Sequence, residues 1–200
     1  MGKGKLQLSD FTMKEKTRCA WSIKEPIYIE YHDKEWGTPV HDDQKLFEFL
    51  VLESFQAGLS WLTVLKKRDN FRKAFANFDA KKVSKFDKKK VEQLMLDAGI
   101  IRNRLKIEAA INNANCFLAI QKEFGSFDKY VWGFVDGKQI VNKRKTLKDV
   151  PPTTEISDAM SKDMGKRGFK FRGSTICYAF MQAVGMVDDH VDDCWKKKKK

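Results

Sequence analysis

The chain has 200 residues, with 39 Lys+Arg against 27 Asp+Glu, a formal net charge of +12 and a pI of about 9.5. Its 42% hydrophobic residues include 15 Phe, 5 Trp and 4 Tyr, enough apolar area for a packed core, which excludes a disordered chain. The longest apolar run, Ile176 to Met181, is too short to span a membrane, and the first ten residues lack the apolar stretch of a secretory signal.

The length suits one domain, or two small lobes sharing a core. Taken in order, the punctuation predicts many short helices and a mainly α fold. Asp42 and Asp43 precede a stretch to residue 57 in which Leu46, Phe47, Leu50 and Val51 share one helical face, and Gly58 breaks it. Ser60 is a candidate cap for a helix over 61–67, and Asp69 for a third with Phe71, Ala74 and Phe75 inward. Asp79 and Asp87 each precede a further short pattern; the second runs through Val91, Leu94, Met95 and Ala98 and ends at Gly99. Residues 104–123 carry Ile107, Ala110, Ile111, Ala114 and Leu118 at helical spacing. Asp136-Gly137, flanked by Phe134-Val135 and Ile140-Val141, predicts a turn or a small hairpin. Pro151 and Pro152 mark a loop, Ser157 is a candidate cap for a helix to about 164, and a last helix over 174–184 ends at Gly185.

The charge is uneven. Lys196 to Lys200 carry +5 and residues 1–18 carry +3, which leaves +4 on residues 19–195. Tails of that kind add nonspecific attraction to polyanions, so local clusters say more about partners than the total.

Three constellations could carry chemistry. The first joins the chain ends. Cys19 and His32 stand near the start, His190 and Cys194 near the end, the latter pair one helical turn apart. Two thiolates and two imidazoles are the donor set of a closed, structural tetrahedral zinc site; the alternative is four unrelated residues. With no secretory signal a reducing compartment is expected, and disulfides are disfavoured. The second is Leu94 to Ile107, where a helix, a tight turn at Gly99 and a new helix near Asn103 would present backbone N–H groups to a phosphate, with Arg102, Arg104 and Lys106 alongside. The alternative is an ordinary junction of packed helices. The third is Glu53 in an apolar stretch, followed by Trp61 after a glycine break, with Trp21, Tyr28, Tyr31 and Trp36 crowding the N-terminal segment. Aromatic faces and one carboxylate can grip a flat cationic ring; the alternative is an aromatic core with Glu53 capped or salt-bridged.

The three occur together in one family. Arg18 to Trp21, Tyr28-Ile-Glu-Tyr-His-Asp-Lys-Glu-Trp-Gly37, Leu52-Glu-Ser-Phe-Gln-Ala-Gly-Leu-Ser-Trp61, Asp97 to Arg102, Lys166 to Phe171 and Asp189-His190 resemble the DNA-3-methyladenine glycosylase I family, of the helix-hairpin-helix superfamily, over about residues 18–194. The resemblance implies a mainly α, helix-hairpin-helix glycosylase-like bundle: a helical lobe over 42–124, a zinc-stapled lobe from 18–41 and 125–195, and flexible ends at 1–17 and 196–200. It implies Cys19, His32, His190 and Cys194 as ligands of one structural Zn2+. It implies Glu53 as the catalytic carboxylate bonded to an extruded base, Tyr31 and Trp61 in the base pocket, and Tyr28 and Trp21 beside them. Gly58 and Leu59 would enter the gap left in the DNA, with Gly99, Arg102 and Arg104 at the backbone. The partner would be double-stranded DNA carrying alkylated adenine, met by a monomeric bacterial enzyme in the cytoplasm, at the nucleoid, with no membrane contact. No carboxylate lies between Glu108 and Glu123, where related glycosylases carry an Asp, and no lysine nucleophile stands out, which favours monofunctional hydrolysis. Two other readings are a noncatalytic DNA-binding module with a zinc staple and a zinc-stabilised helical protein that binds another protein.

Overall fold

Side-chain caps set most of the helix starts in the computed structural model, which describes residues 16–197. α1 (Pro26–Lys34) opens on proline, whose missing N–H would be unpaired there in any case. α2 (Asp43–Gln56) and α3 (Trp61–Ala74) begin at Asp42 and Ser60, whose side chains accept from the Lys45 and Thr63 amides. Asp79, Asp87 and Asn103 cap α4 (Ala80–Val83), α5 (Lys88–Leu96) and α6 (Arg104–Phe124) in the same way. α7 (Phe127–Gly133), α8 (Glu155–Lys166) and α9 (Ser174–Ala183) follow. The mainly α expectation holds.

Three local expectations need correction, and one of two alternatives is selected at a fourth place. Asp69 caps nothing: it lies inside α3 and pairs with Arg72 at 2.9 Å. The helix continues because Val64, Leu65 and Phe71, two turns apart, stay on one buried face. Gly99 does not end α5, which stops at Leu96; the Asp97 carboxylate accepts from the Gly99 amide at 2.7 Å instead. A Cβ on Gly99 would stand 3.1 Å from Asn70 Cβ, so the glycine lets this turn lie against α3. Asp136 and Gly137 do form a turn, both at positive φ, but no local hairpin follows. β1 (Ile140–Val141) pairs in parallel with β2 (Val187–Asp188). Ser157 is the third residue of a capping box rather than the cap; Thr154 is the cap, each side chain accepting from the other's amide.

One hydrophobic cluster runs from Cys19 to Cys194. α2 sits at its centre, packed on α3, α6, α7 and α9, and every residue from Leu46 to Phe55 is buried. A helix buried on all sides carries any polar residue into the interior with it, and that is how Glu53 arrives there. The first and last described segments meet: the Trp195 amide donates to Thr17 O at 3.0 Å, and Lys16 Nζ lies 3.9 Å from the Trp195 ring centre. Residues 1–15 and 198–200, most of the two expected flexible ends, lie outside the described residues. Among the described residues no helix is long and apolar enough to cross a membrane.

Candidate functional site

Glu53 on the last turn of α2, Trp61 at the start of α3, and Tyr28 and Tyr31 on α1 meet Trp21 and Trp36 around a cavity of about 430 Å³. The rings form a continuous wall. Trp61 lies 5.5 Å from Tyr31, and Trp21 lies 5.4 Å from Tyr28 and 5.1 Å from Trp36, centre to centre. All five pocket residues expected from the sequence therefore line one cavity. Gln56, Leu147, Val150, Ala179 and Gln182 line it too and were not foreseen. They come from three separate stretches of chain; Gln182, a lone amide after the apolar run Ile176 to Met181, is the one that a polarity scan could have raised.

Two polar atoms in this pocket are buried and have no partner, Glu53 Oε2 and Trp61 Nε1. Buried polar groups are normally paired, so an unpaired acceptor and an unpaired donor beside one cavity mark a place that a polar ligand completes. Glu53 is 3% exposed, and burial pushes its carboxyl up to about 8. Burial, reinforced by the Glu53 carboxylate, holds the Tyr31 hydroxyl well above its ordinary value.

The turn that joins Glu53 to Trp61 is held from below. Gly58 takes φ +77° with open space around it, and Leu59 is 42% exposed. Lys106 Nζ donates to Phe55 O at 2.8 Å and Ala57 O at 2.5 Å, capping the carbonyl end of α2. Lys106 is 5% exposed, and burial lowers its pKa. This corrects its grouping with the surface cations of the 97–103 turn. Arg102 and Arg104 are exposed, and Arg104 makes a two-pronged pair with Glu92 at 2.7 and 2.8 Å. Since Lys106 lies on the first turn of α6, it ties the Gly58-Leu59 turn to the Gly99–Asn103 turn.

Behind the aromatic wall lies the cysteine and histidine cluster. Ligand atoms of Cys19, His32 and Cys194 all lie within 4.8 Å of one another, and the three residues are buried. His190 stands beside this group, its ring 5.0 Å from that of His32. The His32 and His190 Nδ1 atoms lie 2.8 Å from Asp33 and Asp188 carboxylates, which turns each Nε2 the other way. His32 Nε2 reaches Cys194 Sγ at 3.4 Å, while His190 Nε2 is buried without a partner. A hydrogen bond between the two thiols, helped by His32 on the Cys194 side, holds Cys194 low and Cys19 high. Carboxylate-oriented imidazoles, paired thiols and an orphaned nitrogen fit a metal ion. Trp21 packs on His32 at 5.6 Å and Trp36 on His190 at 4.6 Å, so the pocket wall rests on this cluster. Asp188 and Asp189, just before His190, are buried and bonded inward.

Residues 21–197 match the model of the methyladenine glycosylase family. A DNA-3-methyladenine glycosylase of Haemophilus influenzae is 52% identical over 178 residues, 89% of this chain and 96% of that protein. A crystal structure of a 3-methyladenine DNA glycosylase I superposes with a TM-score of 0.89 at 48% identity, over 91% of this chain and all (100%) of that one. A tyrosine-to-phenylalanine variant of such an enzyme, solved in complex with 3-methyladenine, gives 0.88 at 38% identity over 91% and 98%. The chain belongs to the methyladenine glycosylase family and is an enzyme.

Proposed function

We propose that the chain flips 3-methyladenine out of double-stranded DNA and hydrolyses its bond to the sugar, leaving an abasic site. The observation that carries this reading is the pair of unpartnered atoms, Glu53 Oε2 and Trp61 Nε1, in an aromatic pocket. A base inside a duplex cannot be reached, so it has to leave the stack, at a cost of a few kcal/mol that is least for damaged bases. Alkylation at N3 makes adenine cationic and weakens its bond to the sugar, and the base then leaves neutral. Trp61 and Tyr31 stack on the ring, with Tyr28 and Trp21 as neighbours, and cation–π attraction favours the alkylated form. Glu53 accepts from the base, and the positive charge stabilises its carboxylate. Among the residues lining the cavity Glu53 is the only carboxylate, and none is a lysine. This suits attack by water without a covalent intermediate, with much of the rate coming from holding a labile base.

DNA would lie across two neighbouring turns. Gly58 and Leu59 enter the gap left by the extruded nucleotide. The α5–turn–α6 unit is the helix-hairpin-helix, with Gly99, Arg102 and Arg104 at the phosphates and Arg104 exchanging Glu92 for one of them. One Zn2+ held by Cys19, His32, His190 and Cys194 would supply a closed structural link between the chain ends. The lobe of 18–41 and 125–195 then carries the metal and the lobe of 42–124 the hairpin, in a monomer acting on DNA in the bacterial cytoplasm.

The test is release of 3-methyladenine from methylated duplex DNA by Glu53→Ala and Trp61→Ala. Each variant is expected to lose activity about a hundredfold, the order that one well-placed electrostatic contact contributes. Wild-type release by both would remove the pocket from the reaction.

A further inference from the structure

Gln182 lines the pocket from α9, and its side chain is not free to turn. Its Nε2 donates to Asp189 Oδ2 at 2.9 Å. Asp189 is fully buried and takes three more donors: the Tyr178 hydroxyl at 2.6 Å, Asn142 Nδ2 at 2.9 Å and Arg144 Nε at 2.8 Å. With four donors converging on it and a guanidinium as its ion partner, Asp189 acts as an acceptor only. A glutamine beside such a group has to turn its NH2 toward it. Its carbonyl Oε1 has no partner among the described residues and is the polar atom the side chain offers to the pocket. We infer that Gln182 reads the exocyclic amino group of the extruded base through Oε1, with Asp189 as the positioning residue that fixes this orientation.

This rests on the proposed function and adds a specificity to it. Glu53 can present either a proton or a lone pair, because burial pushes its carboxyl up to about 8. Gln182 can present only a lone pair while Asp189 holds its NH2. Adenine carries an amino group at position 6, a donor that meets the carbonyl. Guanine carries a carbonyl at that position, and two facing acceptors repel. The site is therefore selective for 3-methyladenine over 3-methylguanine, although the two lesions share the alkylated nitrogen and the positive charge. Neither Asn142 and Arg144 near β1 nor Tyr178 on α9 touches the base in this account; they act by saturating Asp189.

The experiment measures binding of free 3-methyladenine and free 3-methylguanine through quenching of the pocket tryptophans, for the wild type, Gln182→Leu, Gln182→Met and Asp189→Asn. Thermal melting of each variant checks its fold. The wild type is expected to prefer 3-methyladenine by tenfold or more, and both Gln182 variants to lose most of that preference through weaker binding of 3-methyladenine. Asp189→Asn, whose amide can donate to Gln182 Oε1 and let the glutamine reverse, should shift the ratio toward 3-methylguanine, which a merely structural loss would not do. An unchanged ratio in Gln182→Leu and Gln182→Met, with wild-type binding intact, would overturn the inference alone. No binding of 3-methyladenine by the wild type would overturn the reading on which it rests as well.

Discussion

At Glu53 binding and stability pull in opposite directions. The carboxyl is buried without a donor for Oε2, and its pKa rises from 4.5 to about 8. Between those values the folded protein holds a proton that the unfolded chain has lost. The group therefore lowers stability as pH climbs from about 5 to about 8, by a few kcal/mol at most. Glu53→Gln should melt higher than the wild type, with a larger difference at pH 8 than at pH 5, while losing base release. A difference in Tm that is the same at both pH values would contradict the assigned burial. At this scale the residues that meet at the pocket were legible as candidates only: a carboxylate in an apolar helical stretch must pair, find donors or do work, and Cys19, His32, His190 and Cys194 offer a metal's donor types, but an aromatic core and four unrelated residues fitted the sequence too. Lys106 was not legible. Its surroundings in sequence match those of Arg104, and only the packing of α6 on the end of α2 separates a buried lysine from a surface one.

The helices were read best where a cap and a periodic apolar face agree, as at Asp42, Ser60, Asp87 and Asn103. Asp69 has the same residue type without the structural context of a cap, because α3 keeps its buried face across it. The β1–β2 bridge lay beyond local reading, since Ile140 finds its partner at Val187 through the tertiary fold and not through the Asp136-Gly137 turn. The Gln182–Asp189 arrangement belongs to the same class: α9 and the strand after it settle which way an amide faces. The cysteine and histidine cluster belongs to this scale too, since it gathers residues from the segment before α1, from α1 itself and from the segment after β2. Chelation, or Cys194→Ser, should remove one zinc per chain and lower Tm by about 10 °C, the shift that about 3–5 kcal/mol produces in a chain of this size. Purified protein without zinc, or an unaltered melt in the variant, would contradict the staple. Because Trp21 and Trp36 rest on the two histidines, the same treatment should alter the emission of the pocket tryptophans.

Across the whole molecule, the +12 charge is a poor guide to where DNA would bind. Much of it lies near the chain ends, and several body cations are already engaged: Arg68 with Glu35, Arg72 with Glu48, Arg144 with Asp189 and Arg167 with Glu123. What recommends DNA as the substrate is the arrangement, two turns linked by Lys106 beside a pocket with two buried polar atoms that no protein group pairs. The competing readings, a DNA-binding module or a protein-binding helical domain, leave Glu53 Oε2 and Trp61 Nε1 without a purpose. The most direct measurement incubates the purified wild-type chain with methylated duplex DNA, identifies the released bases by chromatography and tests the strands for breaks. 3-Methyladenine is expected to be released, with the strands whole until alkali cleaves the abasic sites. Failure to release 3-methyladenine, or strand scission before alkali, would contradict the proposed hydrolysis.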